Sequence, residues 1–536
     1  MSAHVMSADP ESNSKKTYAA ILISLWVLSF ALALSTPASW DVAWRLEIAE
    51  RILSDAVLYR DVIEINPPLW FWSALPSAYL SNITGLDSYV MLCLAVHLII
   101  LPALFLLDRS LLEITSNNER MWLVAGSLAA LLLVPTNDIG QREPPMLLAG
   151  LLWACLAVRR AKGVATRPWL IIGIACFSAY GFALKHYYLI VPIGIEIWLL
   201  IHLKRLWRPI RSETIILASL AFVYSGTVLK LAPNFLTEIV PLVQLSYEDV
   251  RSATVAHPIL HPLSMLFQAF ILVVPSYFIR DVVRKQPLAQ LLFLMTCLHI
   301  AVVSIQGKGF GNHFLAAKGT TFILWAYACS YALRNEHKSV LHPNAVLAVL
   351  AFGWIVLPAA AGMTVRTNKM SLQGPPQSTV DTVISSLNNE PKSSRVFIAS
   401  TNPGLAFYLQ WSDGRPHFSR YFSMWMLAGL LTSQLVPERY DAASQQLTLV
   451  RGNTITDIYC AVPHLIIGDT STHGRQDASK FRTYKIEPMT ILLEDLAFKT
   501  WLDQNYNKSP EKTGVTLWRA KSAVGPSLTY CPMKSY

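Results

Sequence analysis

Charge is scarce in this chain: 15% of its 536 residues are Asp, Glu, Lys or Arg, against 53% hydrophobic. A soluble protein of this size could not hide that much apolar surface. The composition therefore points to a multi-pass membrane protein. Cysteine is sparse as well, seven in all, with no CxxC and no His/Cys cluster at zinc-like spacing, which argues against a structural zinc site. Cys93, Cys155, Cys176, Cys297 and Cys329 fall in or beside apolar runs and read as small core residues. The chain also lacks internal repeats and low-complexity tracts. A net charge of +10 would suit nucleic acid, but the excess lies in short loops between apolar segments, which is a topology signal instead.

What is present is a series of apolar windows long enough to cross about 30 Å of hydrocarbon. They lie near residues 18–36, 87–107, 121–136, 144–158, 168–184, 188–203, 213–230, 263–279, 288–305, 314–333 and 343–362. Residues 67–84 are read as an interfacial or re-entrant helix. Every basic loop then falls on one side, with 17 Lys and Arg inside and 7 outside. That asymmetry predicts eleven spans, a cytoplasmic tail at 1–17 and a transmembrane domain over 18–362. The first window is longer than a signal-peptide core and is read as a retained anchor. After residue 362 the composition turns soluble, with GPPQ as a linker, strand-like RVFIAS and HLIIGD, and a helical STVDTVISSLNN. Residues 363–536 are expected to form an extracytoplasmic α/β domain. Cys460 and Cys531 are its only cysteines, so a disulfide between them is allowed there, though spacing alone does not establish it.

The outside loop 37–85 carries six acids and the run NPPLWFW. Trp40, Trp44, Ile48 and Ile52 recur every four residues, and Val42, Leu46, Ala49 and Leu53 widen that face. Asp41, Arg45, Glu47, Glu50 and Arg51 fill much of the remainder, a pattern suited to a helix lying on a bilayer surface. Asp41 follows the first window directly, where an acid is either a helix cap or a reactive group. A second outside loop, PTNDIGQREPP, offers Asp138, Arg142 and Glu143. Cations complement these acids. Lys185 and His186 interrupt an apolar hairpin, Lys308 and His313 sit in the glycine-rich QGKGFGNHF, and Lys318 lies inside an apolar window. A lysine near a span end often snorkels, but one inside a span needs an anionic partner. A phosphate at the outer leaflet would satisfy several of these cations together.

A first-span Asp, an amphipathic helix and then LYRDVIEINPPLWFW resembles the first loop of the GT-C superfamily of integral-membrane glycosyltransferases. QREPPMLL and QGKGFGNHF are similar to later-loop elements of bacterial members, so the resemblance runs in order over residues 18–333. It implies a polyprenyl-phosphate sugar donor and transfer to an envelope glycan, lipid or protein on the outer face of a bacterial inner membrane. Many members have an Asp-Glu pair where this chain has Asp41 and Val42. The second acid's role must then fall to Asp61, Glu64 or Asp138, or be absent.

The expected chemistry uses Asp41 as base, with Asp138 as the further catalytic acid and Asp61 and Glu64 in support. Lys185, His186, Lys308, His313, Lys318 and Arg142 would bind the donor phosphate. Direct displacement would invert the anomeric centre. The cofactor is left open, a divalent cation included, and no nucleic-acid partner is expected. The rival readings are an O-antigen ligase or polymerase, a transporter or flippase of lipid-linked sugars, and a structural envelope subunit. The first of these usually carries its large outside loop between spans, and the second calls for paired repeats and discontinuous helices.

Overall fold

The computed structural model describes residues 10–135, 138–247, 269–270, 272–277, 279–306, 311–335, 376–470, 474–477 and 482–521. Its contacts divide the chain into two compact units. The first comprises Met1–Ala38, Leu86–Ser225 and Ser264–Lys369; the second comprises Ser39–Gly85, Gly226–Leu263 and Met370–Tyr536.

The first unit is helical. Its helices are α1 (Pro10–Ser35), α5 (Ser88–Leu111), α6 (Asn117–Leu132), α7 (Glu143–Ala161), α8 (Pro168–Ala183), α9 (Ile190–Leu203), most of α10 (Ser212–Leu231), α12 (Pro287–Gln306) and α13 (Leu315–Asn335). Each falls on an apolar window of the sequence. The window 263–279 lies mostly, and 343–362 wholly, outside the described residues. By length and composition α1 (from Lys16), α5, α10 and α12 can cross a membrane. Local chemistry sets the helix starts. Asp87 accepts from Tyr89 N and Val90 N to open α5, and Ser116 with Glu119 forms a capping box for α6. Small residues let the helices close up: a Cβ at Gly181 of α8 would lie 2.6 Å from Pro145 O of α7. Cys93 and Cys155 are buried thiols as expected, whereas Cys176 is exposed on α8.

The second unit is α/β. Strands β1 (Val396–Ala399), β2 (Leu465–Asp469), β5 (Tyr506–Lys508) and β6 (Val515–Ala520) form one sheet in the order β1-β2-β6-β5. β1 and β2 are parallel, with Ile398 opposite Ile467, while β6 runs antiparallel to both of its neighbours. β3 (Gly474–Asp477) and β4 (Arg482–Lys485) make a separate hairpin. RVFIAS and HLIIGD thus fall on β1 and β2, buried along their lengths, and STVDTVISSLNN falls on α14 (Gln377–Asn388). Cys460 is disulfide-bonded, while Cys531 lies outside the described residues.

Two expectations change here. Residues 39–85 group by their contacts with residues 226–263 and 370–536, and not with the rest of 18–362. The reason is packing: Ile63 N donates to Arg420 O at 2.8 Å, and Ile63 packs on the core formed by Tyr421, Leu427 and Leu430. Leu242 and Leu245 of α11 (Val240–Ser246) join the same core, where Gly429 leaves room for the Ser246 backbone. The helix read as lying on a bilayer is α2 (Trp40–Leu53), and its apolar face is buried inside protein. Trp44 sits among Phe407, His417 and Phe422, and Ala49 packs on Ala74 and Ala78. Even its arginines are buried. Arg45 donates to Trp70 O and Ser73 Oγ, both at 2.8 Å. The amphipathic period was real, but its partners are the C-terminal segment and residues 70–78 of the same loop. The neighbouring stretch forms α3 (Leu69–Trp72) and α4 (Leu75–Thr84), and α4 leaves Tyr79, Leu80 and Ile83 exposed.

Candidate functional site

In the second unit Asp41 occupies the first turn of α2, where the helix dipole favours a carboxylate. It is half-buried. The helix beneath it is fixed. Arg51 donates to Ser419 O at 2.9 Å, to His417 O, and to Glu47 Oε1 at 2.7 Å. His417 is buried, and burial, helped by the Arg51 charge, pushes its pKa down to about 3. The ring is therefore neutral, and its Nε2–H donates to Tyr421 O at 3.0 Å. Below it, Arg420 grips the buried Asp457 carboxylate through its backbone N, Nε and Nη2.

The two supporting acids are committed to this loop's own fold. Glu64 Oε2 accepts from Trp44 Nε1 at 2.8 Å, and Oε1 accepts from Ile65 N, Asn66 N and Asn66 Nδ2. The carboxylate thus ties α2 to the start of the NPPLWFW run. Asp61 accepts from Val57 N at 2.8 Å and from both Nε and Nη2 of Arg60. Burial would raise its pKa, but the hydrogen bonds from Arg60 and Val57 hold it below the usual carboxylate range.

The first unit holds a different arrangement. Gln141, Arg142 and Glu143 lead into α7 and are all buried. Glu143 has no exposed surface, and neither of its carboxylate oxygens makes a hydrogen bond. The Lys185 ammonium, just past α8, pairs with it at 3.6 Å. One turn on, Tyr188 N donates to Lys185 O at 3.0 Å. The Tyr188 hydroxyl is buried without a hydrogen bond, and its ring lies 5.6 Å from that of His299 on α12.

The tautomer of His299 follows from its partner. Thr320 Oγ1 gives its proton to Ala316 O at 2.7 Å, so it accepts from His299 Nδ1 at 2.9 Å. Nε2 is then the unprotonated nitrogen, and it has no hydrogen-bond partner. Buried polar groups in folded proteins are nearly always satisfied. Four such atoms on Glu143, Tyr188 and His299 mark a place built for water or for a polar ligand.

Of the expected cations, Lys185, Arg142 and His313 are buried in this unit. Lys318 is half-buried on α13. His186 is exposed, with its ring against Tyr187. Asp138 is half-buried in the turn where Gln141 N donates to its carbonyl. Lys308 lies outside the described residues. Sequence reasoning noted Glu143 only as a loop charge and missed Tyr188 and His299. The readable sign was an acid directly before PP, at the head of an apolar helix. Among the described residues no three His, Cys, Asp or Glu stand together as a metal site.

No protein-family model matches the chain, and no curated protein does. Solved structures do resemble it. One is the Archaeoglobus fulgidus oligosaccharyltransferase in complex with Zn and sulfate: 12% identity, TM-score 0.42, covering 84% of this chain and 68% of that one. Another is the oligosaccharyltransferase AglB of the same organism with an inhibitory peptide and a dolichol-phosphate: 11% identity, TM-score 0.36, covering 96% and 75%. A third is the arabinofuranosyltransferase AftD from Mycobacteria, mutant R1389S: 13% identity, TM-score 0.40, covering 93% of this chain and 41% of that one. The chain thus spans under half the length of AftD. At such identities residue roles do not pass from those proteins to positions of this one.

Proposed function

We propose that this protein is a membrane glycosyltransferase that moves a sugar from a polyprenyl-phosphate donor to an acceptor hydroxyl, with inversion. Asp41 takes the proton of the acceptor hydroxyl as its oxygen attacks the anomeric carbon. The bond from that carbon to the phosphate oxygen breaks, and the leaving phosphate monoester takes up the electron pair as negative charge. Cations stabilise this charge, with no acid needed to protonate it. Lys185, Arg142 and His313 are the residues assigned to it, with Lys308 and Lys318 as further candidates. Glu143 takes the place of a second acid as a positioning residue, keeping the Lys185 ammonium at its post.

The observation that carries this reading is the buried Glu143–Lys185 pair. A charged pair whose carboxylate makes no hydrogen bond is costly in an apolar bundle, and snorkelling does not explain it. The active face is assigned to the outside on the loop charges, and the bacterial inner membrane on the resemblance of the first loop.

The test is transfer or hydrolysis of a short-chain polyprenyl-phosphate sugar by the reconstituted full-length protein. Asp41→Asn should abolish turnover while donor binding persists. Activity within a few-fold of wild type would remove Asp41 as base. Absence of any turnover in wild type across sugar donors would sink the reading itself.

A further inference from the structure

At the far end of α7 from Glu143 the first unit has a second cationic site, unrelated to the chemistry above. A cavity of about 490 Å³ opens there, lined by Arg160, Lys162, Arg208 and Arg211 and by the apolar Leu203 and Leu206. Nineteen helical residues at 1.5 Å rise separate the two ends of α7, a distance of roughly 28 Å and close to one hydrocarbon thickness.

The cations are held in place. Glu213, buried at the start of α10, accepts from Arg160 Nε at 2.9 Å and Nη2 at 2.7 Å, and from Arg211 Nε at 2.8 Å. Arg211 also pairs with Glu196, whose other oxygen accepts from Trp207 Nε1 at 3.2 Å. Lys162 Nζ is tethered to Ile114 O at 2.8 Å. Four cations thus face two carboxylates, which leaves an excess of positive charge around the cavity. Arg208 is exposed on the rim.

The surroundings are apolar. Leu206 and Ile210 are each 78% exposed, and Phe222 on α10 is 82% exposed. The window of α10 that is apolar enough to cross a membrane is only 6% buried in protein. Fixed guanidinium groups suit phosphate oxygens, and basic pockets between membrane helices suit anionic headgroups. A free anion would have no use for the exposed Leu206 and Ile210 beside it.

We propose that this cavity binds the phosphate-bearing headgroup of an anionic lipid, whose acyl chains lie along the exposed face of α10. The probe is phosphatidylglycerol. Full-length protein is released from nanodiscs of phosphatidylcholine containing phosphatidylglycerol, and retained lipid is counted by native mass spectrometry. Wild type should hold one phosphatidylglycerol tightly, and Arg208→Glu should weaken that binding about tenfold or more. Arg167→Glu, at the same end of the helices but outside the cavity lining, should not. Arg208→Gln serves where charge reversal disturbs insertion, and it should show a smaller loss in the same direction. Equal loss in the Arg208 and Arg167 variants would mean diffuse attraction to a charged surface and would overturn the site. Displacement of the lipid by inorganic phosphate at matched concentration would assign the cavity to a soluble anion instead.

Discussion

Glu64 and Glu143 are both buried carboxylates beside aromatic residues, and they live in opposite circumstances. Glu64 accepts four hydrogen bonds from Trp44, Ile65 and Asn66. Glu143 accepts none and faces one ammonium at 3.6 Å. A satisfied buried acid holds a fold together. An unsatisfied one draws on stability that other contacts supply, and chains keep such groups where they serve chemistry. The difference sorts the acids of this protein more sharply than their positions in the sequence did.

Within this comparison the largest effect should come from breaking the Glu143–Lys185 pair. Glu143→Gln and Lys185→Met should each lower transfer roughly ten- to a hundredfold, the scale of one lost charge-assisted contact. The double variant should cost little more than either one, because both changes dismantle the same unit. Kinetics of all three against one donor check this, and additive losses would separate the two residues.

Glu64→Ala should act on stability instead. It strands the Trp44 indole N–H and the Asn66 donors, at about 1–3 kcal/mol for a buried group left unsatisfied. Chemical unfolding of the full chain reads that loss, while donor affinity of the folded fraction should hold.

Gly181→Ala tests how Lys185 is brought to Glu143. Its new Cβ would press on Pro145 O and Ala149, at about 1–3 kcal/mol for overpacking. Weaker donor use alongside the lost stability would show that close approach of α7 and α8 sets the pair.

The smallest effect is a pH slope. His417 titrates at 6.5 when unfolded and is pushed down to about 3 in the fold. Its neutral ring therefore adds stability fully above pH 6.5, and this is lost as pH falls towards 3. Stability measured between pH 7 and 4 should fall less steeply in His417→Gln than in wild type.

Much of the helical architecture was legible, because spans of apolar residues have few alternatives in the sequence. β1 and β2 were legible too, as short apolar runs between turn residues. The surroundings of α2 were not. An amphipathic period states that one face is covered without stating by what, and a bilayer and the ring cluster of Phe407, His417 and Phe422 leave the same trace. That Asp61 and Glu64 hold their own loop was not legible, because hydrogen bonds to nearby backbone leave no mark in a sequence. Tyr188 and His299 went unnoticed because isolated polar residues in apolar runs are common, and only their mutual distance gives them meaning.

The clasp on α2 joins residues far apart in the chain: Arg51 reaches carbonyls 366 and 368 residues later. At a translation rate of roughly 5–20 residues per second, loop 37–85 leaves the ribosome about 20–70 s before Ser419 exists. During that interval Trp44 has no aromatic neighbours from the C-terminal segment, and Arg51 has no carbonyls there to hold. The loop bearing Asp41 is thus made long before the segment that completes its contacts. A chain stopped before residue 417 would carry the proposed base on a helix without the Arg51 clasp.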